Sequence, residues 1–270
     1  MARVSKKSPI GVFDSGLGGL TVFKALARRM PEESLVYFGD TAHVPYGSKS
    51  PEAIERFSTE VARFLAARGI KLLVVACNTS SAWALPAIRR AVKIPVIGVI
   101  EPGARAALAV SRGGRIGIIG TEATIKSNAY PKAIARQAKW TKTQSQACPL
   151  FVPLVEEGWW NGPVVEAVVR KYTAPLKRAR VDTLILGCTH YPYLKPVLAR
   201  AMGAGVRLID SAEETAVETQ RVLSDRSLRA PKGGRGGREF YASDSPERFK
   251  RLARRMLGPG VSRVLLHPFD

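Results

Sequence analysis

The chain has 270 residues, 46% of them hydrophobic, enough to bury a substantial core and, at ~150 residues per domain, long enough for two domains. Lys and Arg number 42 against 22 Asp and Glu, and the resulting formal charge of +20 excludes a charge-balanced surface and points to anionic partners, small or polymeric. No apolar run approaches the ~18 residues that span a bilayer, and Ile10 to Phe13, behind the basic stretch Met1 to Ser8, is too short for a signal-peptide core; this excludes a membrane protein and predicts a cytoplasmic one with a short ragged start.

The first predicted strand, Ile10 to Phe13, runs into a glycine loop, Asp14-Ser-Gly-Leu-Gly-Gly19, and a helix over Gly18 to Met30. The loop lacks the spacing of a dinucleotide fingerprint and no Gly-Lys-Ser/Thr completes a P-loop. It exposes backbone N–H groups at a helix start and sets Asp14 and Ser15 at a strand end; a tight turn that merely needs glycine reads equally well. A second strand, Ser34 to Gly39, ends at the polar loop Asp40-Thr-Ala-His43-Val-Pro45-Tyr46-Gly47-Ser48, and a helix follows over Pro51 to Arg68. The third, Leu72 to Ala76, ends at Cys77-Asn-Thr79, and a fourth covers Val96 to Val99. Further strands are predicted at Arg115 to Ile119, at Leu184 to Leu186 just before Cys188-Thr-His190, at Arg207 to Ile209 and at Glu239 to Ala242. The last helix spans Ser245 to Leu257, with Ser245 as N-cap, Pro246 in the first turn and its basic residues mostly opposite Phe249, Leu252 and Met256. The strands lack strict polar alternation, as expected when helices cover both faces of a sheet. Their order predicts parallel, doubly wound α/β units whose ligands bind beyond the carboxyl ends of the strands, where Asp14, Asp40, Cys77 and Cys188 fall.

Landmarks recur along the chain. Gly11 in Pro9-Ile-Gly-Val-Phe-Asp14 matches Gly117 in Arg115-Ile-Gly-Ile-Ile-Gly120 at an offset of 106, Cys77 matches Cys188 at 111, and Pro86 matches Pro196 at 110. Glu101-Pro-Gly103 and Asp210-Ser-Ala212 follow in the same order. The near-constant offset predicts a duplicated unit of roughly 110 residues. It divides the chain into two pseudo-symmetric α/β domains, residues 1–100 plus 210–270 and residues 101–209, with the active site in the cleft between them.

Two thiols presented at equivalent points of two similar units can flank one carbon atom, one taking a proton while the other returns one. Free cysteine titrates near ~8.5, and helix-like starts after Cys77 and Cys188 are expected to favour the thiolates. Three cysteines without a C-x-x-C pair predict reduced thiols, and Cys148, which has no counterpart, reads as a packed small hydrophobe. Zinc on Cys188 and His190 lacks the clustered partners a closed site requires, so no metal is expected. Ser224 to Arg238, rich in Gly and Arg without aromatic interleaving, reads as a mobile loop beside a solvated surface helix, with a nucleic-acid interface as its rival.

Phe13-Asp-Ser-Gly-Leu-Gly-Gly-Leu20, Gly39-Asp-Thr, Pro45-Tyr-Gly-Ser48, Ala76-Cys-Asn-Thr79, Val152-Pro-Leu-Val-Glu-Glu-Gly158 and Leu186-Gly-Cys-Thr-His-Tyr-Pro192 cover nearly the whole chain. Together they resemble the glutamate racemases of the cofactor-independent amino-acid racemase group. Aspartate racemases, the nearest alternative, also have two cysteines but typically lack Asp-Ser in the opening loop and carry an acidic residue where His190 stands. The resemblance implies interconversion of L- and D-glutamate by two-base proton transfer at the α-carbon, without a cofactor, supplying D-glutamate for peptidoglycan in a bacterial cytoplasm. It implies Cys77 and Cys188 as the acid/base pair, Cys77 serving the D-enantiomer and Cys188 the L-enantiomer. Asp14 would assist near Cys77, and His190 and Glu156 near Cys188, with Glu157 as the adjacent alternative to Glu156. Asp14, Ser15, Tyr46, Gly47, Asn78, Thr79, Thr189 and His190 would hold the substrate's ammonium and carboxylate groups. No arginine is assigned to the γ-carboxylate, for which backbone N–H groups and the hydroxyls of Ser15, Thr79 and Thr189 are available. A homodimer is implied, in no particular arrangement. The alternative from another class is a basic regulator that binds DNA or gyrase, since some glutamate racemases are associated with DNA gyrase.

Overall fold

The computed structural model describes residues 4–269; Met1 to Arg3, part of the stretch read as a ragged start, and Asp270 lie outside them. The described strands are β1 (Ile10–Asp14), β2 (Leu35–Gly39), β3 (Leu72–Val75), β4 (Val96–Gly98), β5 (Arg115–Gly120), β6 (Lys142–Ala147), β7 (Thr183–Gly187), β8 (Arg207–Ile209), β9 (Arg238–Ala242) and β10 (Leu265–Leu266). They form two wholly parallel sheets, β10-β9-β2-β1-β3-β4 and β6-β5-β7-β8. The order β2-β1-β3-β4 within the first is repeated, strand for strand, by the second. Register carries the same repeat: Gly11 pairs with Leu73 and Gly117 with Leu184, and the two partners are separated by the same 111 positions as the cysteines. No helix among the described residues is long and apolar enough to cross a membrane.

Each strand of the sequence reading is present, and the central ones are apolar runs buried on both faces. Every residue of β1, β2, β3 and β7 is buried. The covering helices follow the 3.6-residue period: in Pro51–Ala67 the residues Ile54, Phe57, Val61 and Leu65 turn inward. Ser50 caps this helix by accepting from the Ala53 N–H at 3.3 Å, and Pro51 fits the first turn, where no donor is needed. Replacing the fully buried Leu65 with Ala would cost about 2–5 kcal/mol.

Two local expectations are corrected. Ser245 sits in the left-handed region at φ 47° and its hydroxyl donates to the Asp244 carboxylate, so it does not cap the Pro246–Leu257 helix. Cys188 is followed by a turn and a 3-10 stretch, Tyr191–Leu194, with the α-helix starting only at Lys195. The Gly/Arg loop is tied down at both ends. The Ala230 N–H donates to the Glu33 carboxylate at 2.8 Å, Arg229 pairs with Glu32, and the Gly236 N–H reaches the Pro31 carbonyl at 3.0 Å. Glu33 in turn forms a fully buried ion pair with Lys71 at 2.5 Å, and Lys71 also donates to the Lys6 carbonyl at 2.6 Å. Strands β6 and β10 were not predicted: Lys-Thr-Gln-Ser-Gln-Ala lies at a sheet edge with half its residues exposed, and β10 has only two residues.

Candidate active site

Residues just beyond the carboxyl ends of β1, β3, β5 and β7 line one cavity of about 20 Å³, and both Cys77 and Cys188 open onto it. Of the other residues singled out in the sequence, Ser15, Tyr46, Gly47, Asn78, Thr79, Thr189 and His190 line it as well. Asp14 and Glu156 stand one hydrogen bond behind, through Thr189 and His190 respectively.

Cys77 precedes the Asn78–Trp83 helix and accepts the Ser80 N–H at 3.5 Å, while its thiol lies 3.6 Å from the Ser15 hydroxyl. Burial, reinforced by the Asp14 carboxylate, pushes the Cys77 thiol up to about 11 despite its hydrogen bonds with Ser80 and Ser15. The Ser80 N–H at the helix start does act toward the thiolate, as expected, but desolvation and the Asp14 charge outweigh it. Asp14 is fully buried; it accepts the Gly16 N–H at 3.0 Å and the Thr189 hydroxyl at 3.1 Å. Burial raises its carboxyl above the usual range, with the His190 charge and the N–H groups of Gly19 and Gly16 acting against it. Gly19 is required here, since a Cβ would lie 2.5 Å from that of Asp14.

Around the second thiol, Cys188 Sγ lies 3.8 Å from His190 Nδ1, and His190 Nε2 lies 3.1 Å from Glu156. Burial acts to lower the His190 value, but hydrogen bonds to Cys188 and Glu156 together with their charges prevail and hold it well above the usual imidazole range. Glu157 instead points outward to Arg248, 3.4 Å away, so Glu156 is the carboxylate at the site. Cys148 is fully buried and outside the cavity lining.

Several contributors were not assigned from sequence. Thr79 shares a hydroxyl cluster with Thr121 at 2.9 Å and Thr124 at 3.1 Å, joining the end of β3 to that of β5. Tyr130 donates to Asn78 Oδ1 at 2.8 Å, leaving Asn78 Nδ2 buried without a partner. Asp40 accepts from Tyr46 and from Ser243 at 2.6 Å, fixing the loop that carries Tyr46 and Gly47. Thr121 was legible in principle: it follows Gly120 as Ser15 follows Asp14 in the repeat.

A repeated parallel α/β unit presents one thiol from each copy to a shared cavity, an architecture that defines an α/β enzyme with its site where the copies meet. The Asp/Glu/Hydantoin racemase family model matches residues 11–219, and the chain belongs to that family; it is an isomerase. It is 54% identical over 255 residues to the glutamate racemase of Geobacter metallireducens, covering 94% of each chain. Identity to the glutamate racemase of Neisseria meningitidis is 47% over 265 residues, 98% of each. The glutamate racemase isoform RacE1 of Bacillus anthracis superposes with a TM-score of 0.92 at 42% identity, over 98% of both chains. That of Francisella tularensis, solved in complex with D-glutamate, superposes at 0.91 and 36% identity, over 98% of this chain and 99% of that one.

Proposed function

We propose that the protein is a glutamate racemase in which Cys77 and Cys188 exchange protons with the two faces of the α-carbon. The observation that carries the reading is the one cavity onto which both thiols open, Cys77 beside the Ser15 hydroxyl and Cys188 beside the His190 imidazole. From L-glutamate, the Cys188 thiolate takes the α-proton and its electron pair stays on carbon; the Cys77 thiol then gives its proton from the opposite side and becomes the thiolate. D-glutamate runs the same steps backwards, and no electrons leave the substrate. A thiol held protonated as firmly as Cys77 suits the donor, while a cationic His190, steadied by Glu156, suits a neighbour that must carry negative charge. Asn78 Nδ2 and the hydroxyls of Thr79 and Ser15 would hold carboxylate oxygens, and Thr189, whose proton goes to Asp14, would accept from the ammonium group, with Tyr46 and Gly47 closing the wall. The two lobes would be residues 1–100 with 210–270 and residues 101–209, in a cytoplasmic homodimer that supplies D-glutamate for peptidoglycan.

Incubation with L-glutamate in deuterated water, with no added cofactor, should yield D-glutamate deuterated at the α-carbon. Cys77→Ala and Cys188→Ala should each abolish it. Turnover of aspartate in place of glutamate would redirect the substrate assignment, and normal racemisation by either variant would refute the mechanism.

A further inference from the structure

The cavity holding both thiols, at about 20 Å³, has space for about one water molecule, so an amino acid enters only when the cleft opens. A second cavity, of about 70 Å³, adjoins it at the seam where the Pro246–Leu257 helix meets the Phe151–Glu156 helix. Val44 lines both cavities, and a Cβ on Gly16 would lie 3.4 Å from Val44 and 3.6 Å from Glu156. The partition between inner and outer space is thus Val44 with the Glu156–His190 pair.

Two contacts cross the seam: Arg248 to Glu157 at 3.4 Å, and the Arg255 guanidinium 5.0 Å over the Trp160 ring. Arg248 is the cation among the residues lining the outer cavity, whereas the inner cavity has neither Arg nor Lys in its lining. The two carboxylates of the outer cavity are engaged, Glu156 by His190 and Asp244 by the Ser245 hydroxyl at 3.1 Å. The side chains of Arg248 and Glu157 are 56% and 69% exposed, so their pair is weak and readily exchanged.

The geometry points to the outer cavity as an entry subsite for a dicarboxylate, where Arg248 releases Glu157 and takes a carboxylate of the incoming substrate before the cleft closes. The inference rests on the glutamate reading above. Glu157 serves as placeholder: parting the seam and capturing the substrate are one event, because the same guanidinium serves both.

Initial rates over a range of L-glutamate concentrations test this in Arg248→Gln, Arg248→Lys and Glu157→Gln. Arg248→Gln should lower kcat/KM roughly tenfold, mainly through KM, and flatten its dependence on salt. Arg248→Lys, which keeps the charge, should recover most of the loss. Glu157→Gln should act in the opposite direction and lower KM, since the cation is freed for substrate. A merely structural bridge would make both glutamine variants err the same way. Glutamine variants that shift KM in one direction, or not at all, in an enzyme that still turns over glutamate would overturn this inference alone. An intact enzyme that leaves glutamate unlabelled would overturn it together with the reading beneath it.

Discussion

Alkylation of Cys77 by iodoacetamide should be slow at ordinary pH and should accelerate with alkali far beyond the point where a free cysteine levels off. Only the thiolate reacts, and burial with the Asp14 charge holds this group as a thiol up to about pH 11. At about pH 8 such a group is ionised to roughly one part in a thousand, against about one in four for a cysteine of pKa ~8.5, a difference of about two hundredfold in rate. Opening of the cleft scales the rate equally at every pH, so the slope is the diagnostic: about tenfold per pH unit between about pH 8 and about pH 10. Peptide mass mapping separates Cys77 from Cys148 and Cys188. Asp14→Asn removes the second cause of the shift, so alkylation of Cys77 should speed up although racemisation slows. A rate that levels off near pH 8.5, or slower alkylation in Asp14→Asn, would refute the account.

His190→Asn should lower kcat by about a hundredfold, read by the loss of optical rotation change. Because Glu156 helps hold His190 protonated, Glu156→Gln should let the imidazole deprotonate earlier, and the alkaline limb of the pH–kcat profile should move to lower pH. Gly18→Ala should abolish turnover while leaving the circular dichroism nearly native, since the added Cβ would collide with the Thr189 hydroxyl and lie 2.7 Å from His190 Nδ1. Lys71→Met strands Glu33 in a buried site and should cost about 3–5 kcal/mol in urea unfolding, most of it regained in the Lys71→Met/Glu33→Leu double variant.

The strands flanking the thiols were legible because burial on both faces writes itself into the sequence as an apolar run. Strand β6 was not, since Lys142 to Ala147 is polar and is held by hydrogen bonds to β5 rather than by burial. Its signal lay in the repeat: Val36 pairs with Gly11 as Gln144 pairs with Gly117. The residues at strand ends could be placed from their motifs, but contacts between the copies could not. The Thr189–Asp14 bond joins positions 175 apart, and Tyr130–Asn78 joins positions 52 apart. The helix-start effect on Cys77 has the expected sign, but a local argument omits the carboxylate and the low-dielectric wall, supplied by distant segments, that outweigh it.

A chain of L-residues cannot fold into its own reflection, so the two sulfurs reach their shared cavity on repeated copies of one unit and not on mirror images. The copies here have drifted at matched places: Asp14 stands opposite Gly120 in the repeat, and Asp40 opposite Cys148. The two sulfurs therefore have dissimilar surroundings, the Asp14 carboxylate acting on one and the His190 imidazole beside the other. Mirror-image molecules nonetheless equilibrate to equal amounts, so any handedness of the pocket is confined to saturated velocity and affinity, where each enantiomer's gain in one is matched by its loss in the other.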